Sequence, residues 1–193
     1  IAEPGEYHHA FGGEYGGLWR RLGRPPNMIC GVGFAAQGFG RGAPYSRTFE
    51  DPERTSWIFD GVEGETIGEH GVGGGAAGQE IDRYDVNLGS PAHAVVVASA
   101  TDHDDEMLRT KEEFHYTVKD ASAMSTVRAD MVFYEVEGGG AVFSTGSIAW
   151  FGALATDDYD NDVARITANV LDRFRDPHPW IGPAPVGSSR LQA

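Results

Sequence analysis

This chain has little of several things, and each shortage closes off a class of function. It has one cysteine, Cys30, so no internal disulfide forms and no paired-thiol metal or redox site is available. Its only lysines are Lys111 and Lys119; the other side-chain cations are arginines, which favours planar, bidentate ion pairs over compact point charges. Positive charge is scarce: 15 Lys and Arg stand against 29 Asp and Glu, a formal net charge of −14. That balance argues against nucleic-acid binding, which rests on phosphate neutralisation by Lys and Arg. An acidic chain of this kind suits a cytoplasmic enzyme or a halotolerant one. No apolar run approaches the roughly 18 residues of a membrane span. The longest, residues 92–100, is interrupted by His93 and is strand-sized.

The familiar catalytic signatures are also missing. There is no H-E-x-x-H, no EF-hand spacing and no P-loop lysine. Ser144 and Ser147, in GAVFSTGSIAWFG, lack the G-x-S-x-G turn of a serine hydrolase. Cys30 lacks the preceding glycine of a G-x-C-x-G nucleophile turn, which weakens a class I glutaminase reading. It is expected to be a small apolar residue buried in a strand. His8, His9 and Glu14 are the nearest thing to a metal cluster, but adjacent histidines point different ways in an extended chain, and solvent-exposed roles fit them better.

What is present is enough for a core: 40% hydrophobic residues, 11% aromatic, over 193 residues, and 27 glycines interspersed with the aromatics. That glycine content predicts many turns and tight backbone contacts. The opening residues 1–23 are loop-like and read as the middle of something longer, a fragment or a processed chain. Residues 27–34 (NMICGVGF) and 57–62 (WIFDGV) are expected strands, with irregular chain at 37–53. The run 93–99 (HAVVVAS) is the best strand. Residues 104–114 (DDEMLRTKEEF) place acids before bases, as a helix macrodipole favours. Residues 131–136 and 140–145 flank Glu137-Gly138-Gly139, a hairpin pattern. Residues 159–174 are the clearest helix, with Val163, Ile166, Val170, Leu171 and Phe174 on one face and Asp157, Asp158 and Asp160 supplying caps. Together these predict an α/β or α+β layer over residues 1–175, followed by an extended tail, 176–193. The strand count is small for a self-contained domain, so part of the sheet is expected elsewhere. Tyr15, Trp19, Phe39 and Trp180 are candidate interface anchors, with ordinary packing favoured for Trp19.

The most informative stretch is 71–85, GVGGGAAGQEIDRYD. Gly73-x-Gly75-x-x-Gly78 matches the dinucleotide fingerprint literally, but the preceding EGETIGEH is polar, not a hydrophobic strand. Glu80 and Asp82 would also set negative charge where a pyrophosphate must sit. The loop is therefore either a surface turn with solvated charges or a support for a site. In the second case Glu80 is the candidate: partial burial would raise its pKa toward a general base's range, while Arg83 holds Asp82. Structural pairing of Glu80 with an arginine remains the alternative.

Four stretches, in order, resemble the large (beta) subunit of N,N-dimethylformamidase and its relatives: GGEYGGLWRRLGR (12–24), CGVGFAAQGF (30–39), GGGAAGQEIDRY (73–84) and the long segment 131–169. The resemblance runs from about Gly5 to Phe174 and covers the C-terminal region of that subunit. It implies an amidohydrolase that cleaves the C–N bond of small formamides to formate and an amine. It implies a glutamine-amidotransferase-like layered α/β domain, completed by an upstream segment or another chain. It also implies a mononuclear iron held by a tyrosine and a His-x-Glu motif. No histidine here has Glu two residues on, so those ligands are expected outside this chain. The family's catalytic glutamate motif falls on Glu80, which would act as general base beside an iron serving as Lewis acid. A small partner subunit and oligomeric assembly are implied as well. The competing expectation is a non-catalytic module that only scaffolds a larger enzyme complex.

Overall fold

The computed structural model describes residues 19–110, 117–118 and 126–180. His8, His9, Glu14, Tyr15 and the tail beyond 180 lie outside those residues, as do positions 111–114 of the expected helix.

Apolar and β-branched runs too short for long helices assemble here into two antiparallel sheets. The strands are β1 (Gly33–Gln37), β2 (Tyr45–Arg47), β3 (Thr66–Ile67), β4 (Glu80–Arg83), β5 (Val95–Ala100), β6 (Leu108–Thr110), β7 (Thr117–Val118), β8 (Ala129–Val136) and β9 (Gly140–Ser144). One sheet has the order β4-β1-β6-β7 and the other β3-β2-β5-β8-β9. Helices α1 (Asn27–Cys30), α2 (Pro52–Thr55), α3 (Ala149–Ala153) and α4 (Asp162–Arg175) lie between and after them. Helix and strand thus share the chain as expected, and every strand pairing among the described residues is antiparallel.

The core follows from the burial pattern of β8. Six consecutive residues, Ala129 to Tyr134, are buried, so this strand is covered on both faces instead of alternating. Phe133 meets Trp57 edge-on at 5.5 Å, and Tyr45 meets Trp150 at 5.8 Å. α4 adds Val163, Ile166 and Val170 to the same cluster. Trp180 folds back onto Phe133, Trp57 and Phe174, with the Arg173 guanidinium 3.7 Å from its ring centre. The start of the expected tail therefore packs against the core.

The expected hairpin forms, with Val136 opposite Gly140. The strand expected at 93–99 appears as β5, and the final helix as α4. Other expectations are corrected. Residues 27–30 are helical: Pro25-Pro26 precede them, and Gly31, at φ 77°, closes the turn by donating to the Asn27 carbonyl. The strand begins only at Gly33. Cys30 is exposed. Residues 56–59 form a 3-10 turn rather than a strand, with the Trp57 indole N–H donating to the Arg54 carbonyl (2.8 Å). The irregular 37–53 stretch contains β2 and the start of α2. At 104–110 there is a turn and a strand, not a helix. Asp104 accepts from the N–H groups of Glu106 (3.0 Å) and Arg41 (2.7 Å), and β6 then pairs with β1. The cap of α4 is Asn161, which accepts from the Ala164 N–H (2.8 Å), while Asp157 and Asp158 take left-handed backbone in the turn before it. Leu171 and Trp19 are exposed.

Candidate functional site

Glycine in 71–78 first serves packing. Gly75 lies so close to the chain at 42–43 that a Cβ on it would stand 2.6 Å from the backbone carbons of Gly42 and Ala43. Two backbone segments thus meet with no side chain between them. The Gly42 N–H donates to the Gly73 carbonyl (2.8 Å), and Ala43 exchanges bonds with Ala77 (2.7 and 3.0 Å). Residues 75–78 are buried.

This packing delivers Glu80 as the first residue of a strand, not as part of a loop. β4 sets Glu80 opposite Gln37 and Asp82 opposite Phe34 on β1. Strand alternation puts Glu80 and Asp82 on one face and Ile81, fully buried, on the other. The chain at 146–148 covers the outer edge of β4. Gly146 accepts from the Asp82 N–H (2.8 Å), Glu80 accepts from the Ile148 N–H (3.3 Å), and Ser147 Oγ accepts from the Gly78 N–H (2.9 Å).

At this end of the sheet, where β1 stops and β4 and β6 begin, lies a cleft of about 380 Å³. It is lined by Gln37, Gly38, Phe39, Gln79, Glu80, Glu106, Leu108 and Ile148. Its volume falls in the usual range for small-molecule sites. Glu80 is exposed, and its carboxylate forms no ion pair among the described residues. Phe39, at 96% exposure, stands free at the mouth. A smaller cavity of about 130 Å³ adjoins it across Gln79, walled by Gly73, Gly78, Val72 and Phe151. The larger cleft, about 690 Å³ beside α4, lies away from β4 and its carboxylates.

Asp82, beside Glu80 on β4, is a carboxyl group that the fold makes a weaker acid. Its pKa is raised from 3.8 to about 6, first by burial and then by the negative charge of Glu80, with Arg20 opposing both. Arg83 does not hold it: strand alternation turns Arg83 away, and its guanidinium binds Asp85 at 2.9 Å. The E-x-D spacing within a strand was the signal for a carboxylate pair on one face. Deeper still, Asp130 is 1% exposed and fully engaged. It accepts from Ser99 Oγ (2.7 Å), Arg128 Nε (2.8 Å) and the Tyr84 N–H (2.8 Å). Tyr45, whose pKa burial pushes up, donates to the Thr145 carbonyl (2.7 Å). Among the described residues no group of three or more His, Cys, Asp or Glu side chains is placed to hold a metal ion.

The family described as "N,N-dimethylformamidase beta subunit-like, C-terminal" matches residues 1–162. The N,N-dimethylformamidase beta subunit of Paracoccus aminophilus is 37% identical over 183 residues, covering 92% of this chain and 24% of the relative. The beta subunit of the same name from an Alcaligenes species is 37% identical over 178 residues, 90% of this chain and 23% of the relative. The chain thus spans about a quarter of the length of these relatives. Matched along most of its length by that family and by both beta subunits, it belongs to the N,N-dimethylformamidase beta subunit-like family, in the C-terminal part.

Proposed function

We propose that this chain is the C-terminal part of an amidohydrolase that cleaves the C–N bond of small formamides to formate and an amine, with Glu80 as general base. The observation that carries the role of Glu80 is its place: an exposed carboxylate, free of ion pairs among the described residues, on a cleft whose other walls are apolar and carboxamide groups and the second carboxylate, Glu106. A water in that cleft loses a proton to Glu80 as its oxygen adds to the formyl carbon. The same proton passes to the departing nitrogen as the C–N bond breaks, so the base is regenerated. Phe39, Leu108 and Ile148 supply apolar surface for N-alkyl groups.

The complete enzyme is read as holding a mononuclear iron. The described residues do not make that site, because the cleft offers two carboxylates and two carboxamides and no imidazole or phenol. The ligands are assigned to parts of the subunit beyond this chain, which also complete the layered, glutamine-amidotransferase-like domain. A small partner subunit, oligomeric assembly and a cytoplasmic setting belong to the same reading.

The test is Glu80→Gln in the complete subunit with its partners, measuring formate release. The expected loss in kcat is about 10²–10⁴-fold with assembly intact. Turnover near wild type in an intact complex overturns the role. It would favour the second reading, a structural module, which the exposed Met28 (57%) and Ile29 (72%) on α1 support.

A further inference from the structure

Gln79 is an odd residue for its position. Its φ is 63°, a left-handed backbone that residues with a Cβ rarely adopt. The six residues before it are glycine or alanine, so glycine is the local habit of the sequence. Among the described residues the other non-glycine positions at positive φ are Asp51, Asp157 and Asp158, a residue type that tolerates this region, and Phe49 and Tyr159, which do not line the cleft at Glu80. Glutamine has no such local excuse. The conformation is fixed from both sides. The Gln79 carbonyl accepts from the Gly38 N–H (2.8 Å), the preceding Gly78 N–H is held by Ser147 Oγ (2.9 Å), and the next residue enters β4. Strain held this firmly beside a cleft is the pattern of a functional position.

The second observation is what the side chain does not do. Gln79 lines both the 380 Å³ cleft and the 130 Å³ cavity beside it, yet its carboxamide has no hydrogen-bond partner among the described residues. The third is the chemistry of the cleft. A dialkylformamide has a carbonyl oxygen and no N–H, so a site must offer it a donor. Glu80 and Glu106, when ionised, only accept, while Phe39, Leu108 and Ile148 offer nothing polar. The side-chain donors are Gln37 and Gln79. Gln37 sits on ordinary extended strand at the exposed end of β1, where any residue fits without strain.

We propose that Gln79 is a substrate-binding residue whose carboxamide N–H donates to the carbonyl oxygen of a small amide, orienting its carbon toward the water served by Glu80. This rests on the amide-hydrolase reading above.

The experiment compares Gln79→Gly, Gln79→Ala and Glu80→Gln in the complete enzyme. It reads the thermal midpoint, kcat/KM for N,N-dimethylformamide, and binding of acetamide followed by ligand-observed NMR. Gln79→Gly removes both the backbone strain and the donor, so the midpoint rises while kcat/KM and acetamide affinity each fall by about tenfold or more. Gln79→Ala keeps the strain and loses the donor, so affinity falls with no gain in midpoint. Gln79→Gly with a raised midpoint and wild-type acetamide affinity and kcat/KM overturns the proposal: the left-handed residue is then loop geometry alone. Wild-type turnover by Glu80→Gln beside impaired acetamide binding by both Gln79 variants refutes the base and leaves the role of Gln79 standing. A wild-type enzyme that neither binds acetamide nor hydrolyses N,N-dimethylformamide overturns both.

Discussion

Asp82→Asn is the perturbation whose size follows most directly from the structure. Asp82 is half-buried on the same face of β4 as Glu80, and its pKa stands at about 6 instead of 3.8. Burial is the main cause, the Glu80 charge adds to it, and Arg20 offsets part. Because the folded pKa lies above the unfolded one, the folded chain binds more protons between about pH 4 and about pH 6. Raising the pH through that window therefore removes stability. The rise from 3.8 to about 6 amounts to about 3 kcal/mol, at about 1.4 kcal/mol for each tenfold change in the proton equilibrium. Asparagine keeps the shape and carries no charge. The variant is expected to exceed wild type by about 0.5 kcal/mol near pH 4 and by about 3 kcal/mol above about pH 7. Urea unfolding across that range reads the difference. Glu80→Gln removes the like charge and should leave a smaller gain for a subsequent Asp82→Asn. A pH-independent difference, or an asparagine variant that is the less stable above pH 7, would show that the Arg20 attraction outweighs burial and refute the assignment.

Two further outcomes test the scaffold around β4. Gly146 takes φ 68°, and a Cβ on it would stand 2.4 Å from the Asp130 carbonyl oxygen and 2.8 Å from that of Asp82. Gly146→Ala should therefore cost about 2 kcal/mol or more, read by urea unfolding; a cost below about 0.5 kcal/mol would mean the backbone yields freely there. Asp130→Ala leaves the Arg128 guanidinium, the Ser99 hydroxyl and the Tyr84 N–H without their shared acceptor, and should cost about 3–5 kcal/mol in the same assay.

How far the sequence foretold this depends on what each residue was responding to. The β8–β9 hairpin and α4 were legible because their signals are local: Gly138-Gly139 at the turn, and Val163, Ile166 and Val170 at helical spacing. The segment NMIC looked like a strand because it is apolar, but its flanks, two prolines before and a glycine after, encode a helical turn. Its deciding contact is distant: buried Asn27 donates to Ser90 Oγ (3.0 Å) and to the Arg83 carbonyl (3.2 Å). The acidic run at 104–106 mimicked a helix start, whereas Asp104 had a non-local partner in the Arg41 N–H. Within the site, Glu80 was singled out, but the carboxyl group whose pKa the fold raises is Asp82. Burial decides that, and burial at β4 is set by chain more than forty residues away in either direction.

The cleft's geometry has the same non-local origin. β4 is the edge strand of its sheet, and an uncovered edge is both mobile and prone to pair with other chains. Here residues 146–148, which follow β9 of the other sheet, occupy that edge through the Ile81–Ser147 bridge and the bonds to Asp82 and Glu80. The second sheet therefore fixes where the first sheet presents its carboxylates. The glycine run contributes at the other end, seating residues 75–77 against 42–43 so that the chain can enter β4 at Glu80 only from the left-handed turn at Gln79. A carboxylate placed this way loses little freedom on meeting a substrate, since its backbone is ordered beforehand. Glycine at 71–78 thus acts less as a flexible cradle than as the absence of side chains that lets two sheets and one strained residue hold Glu80 in place.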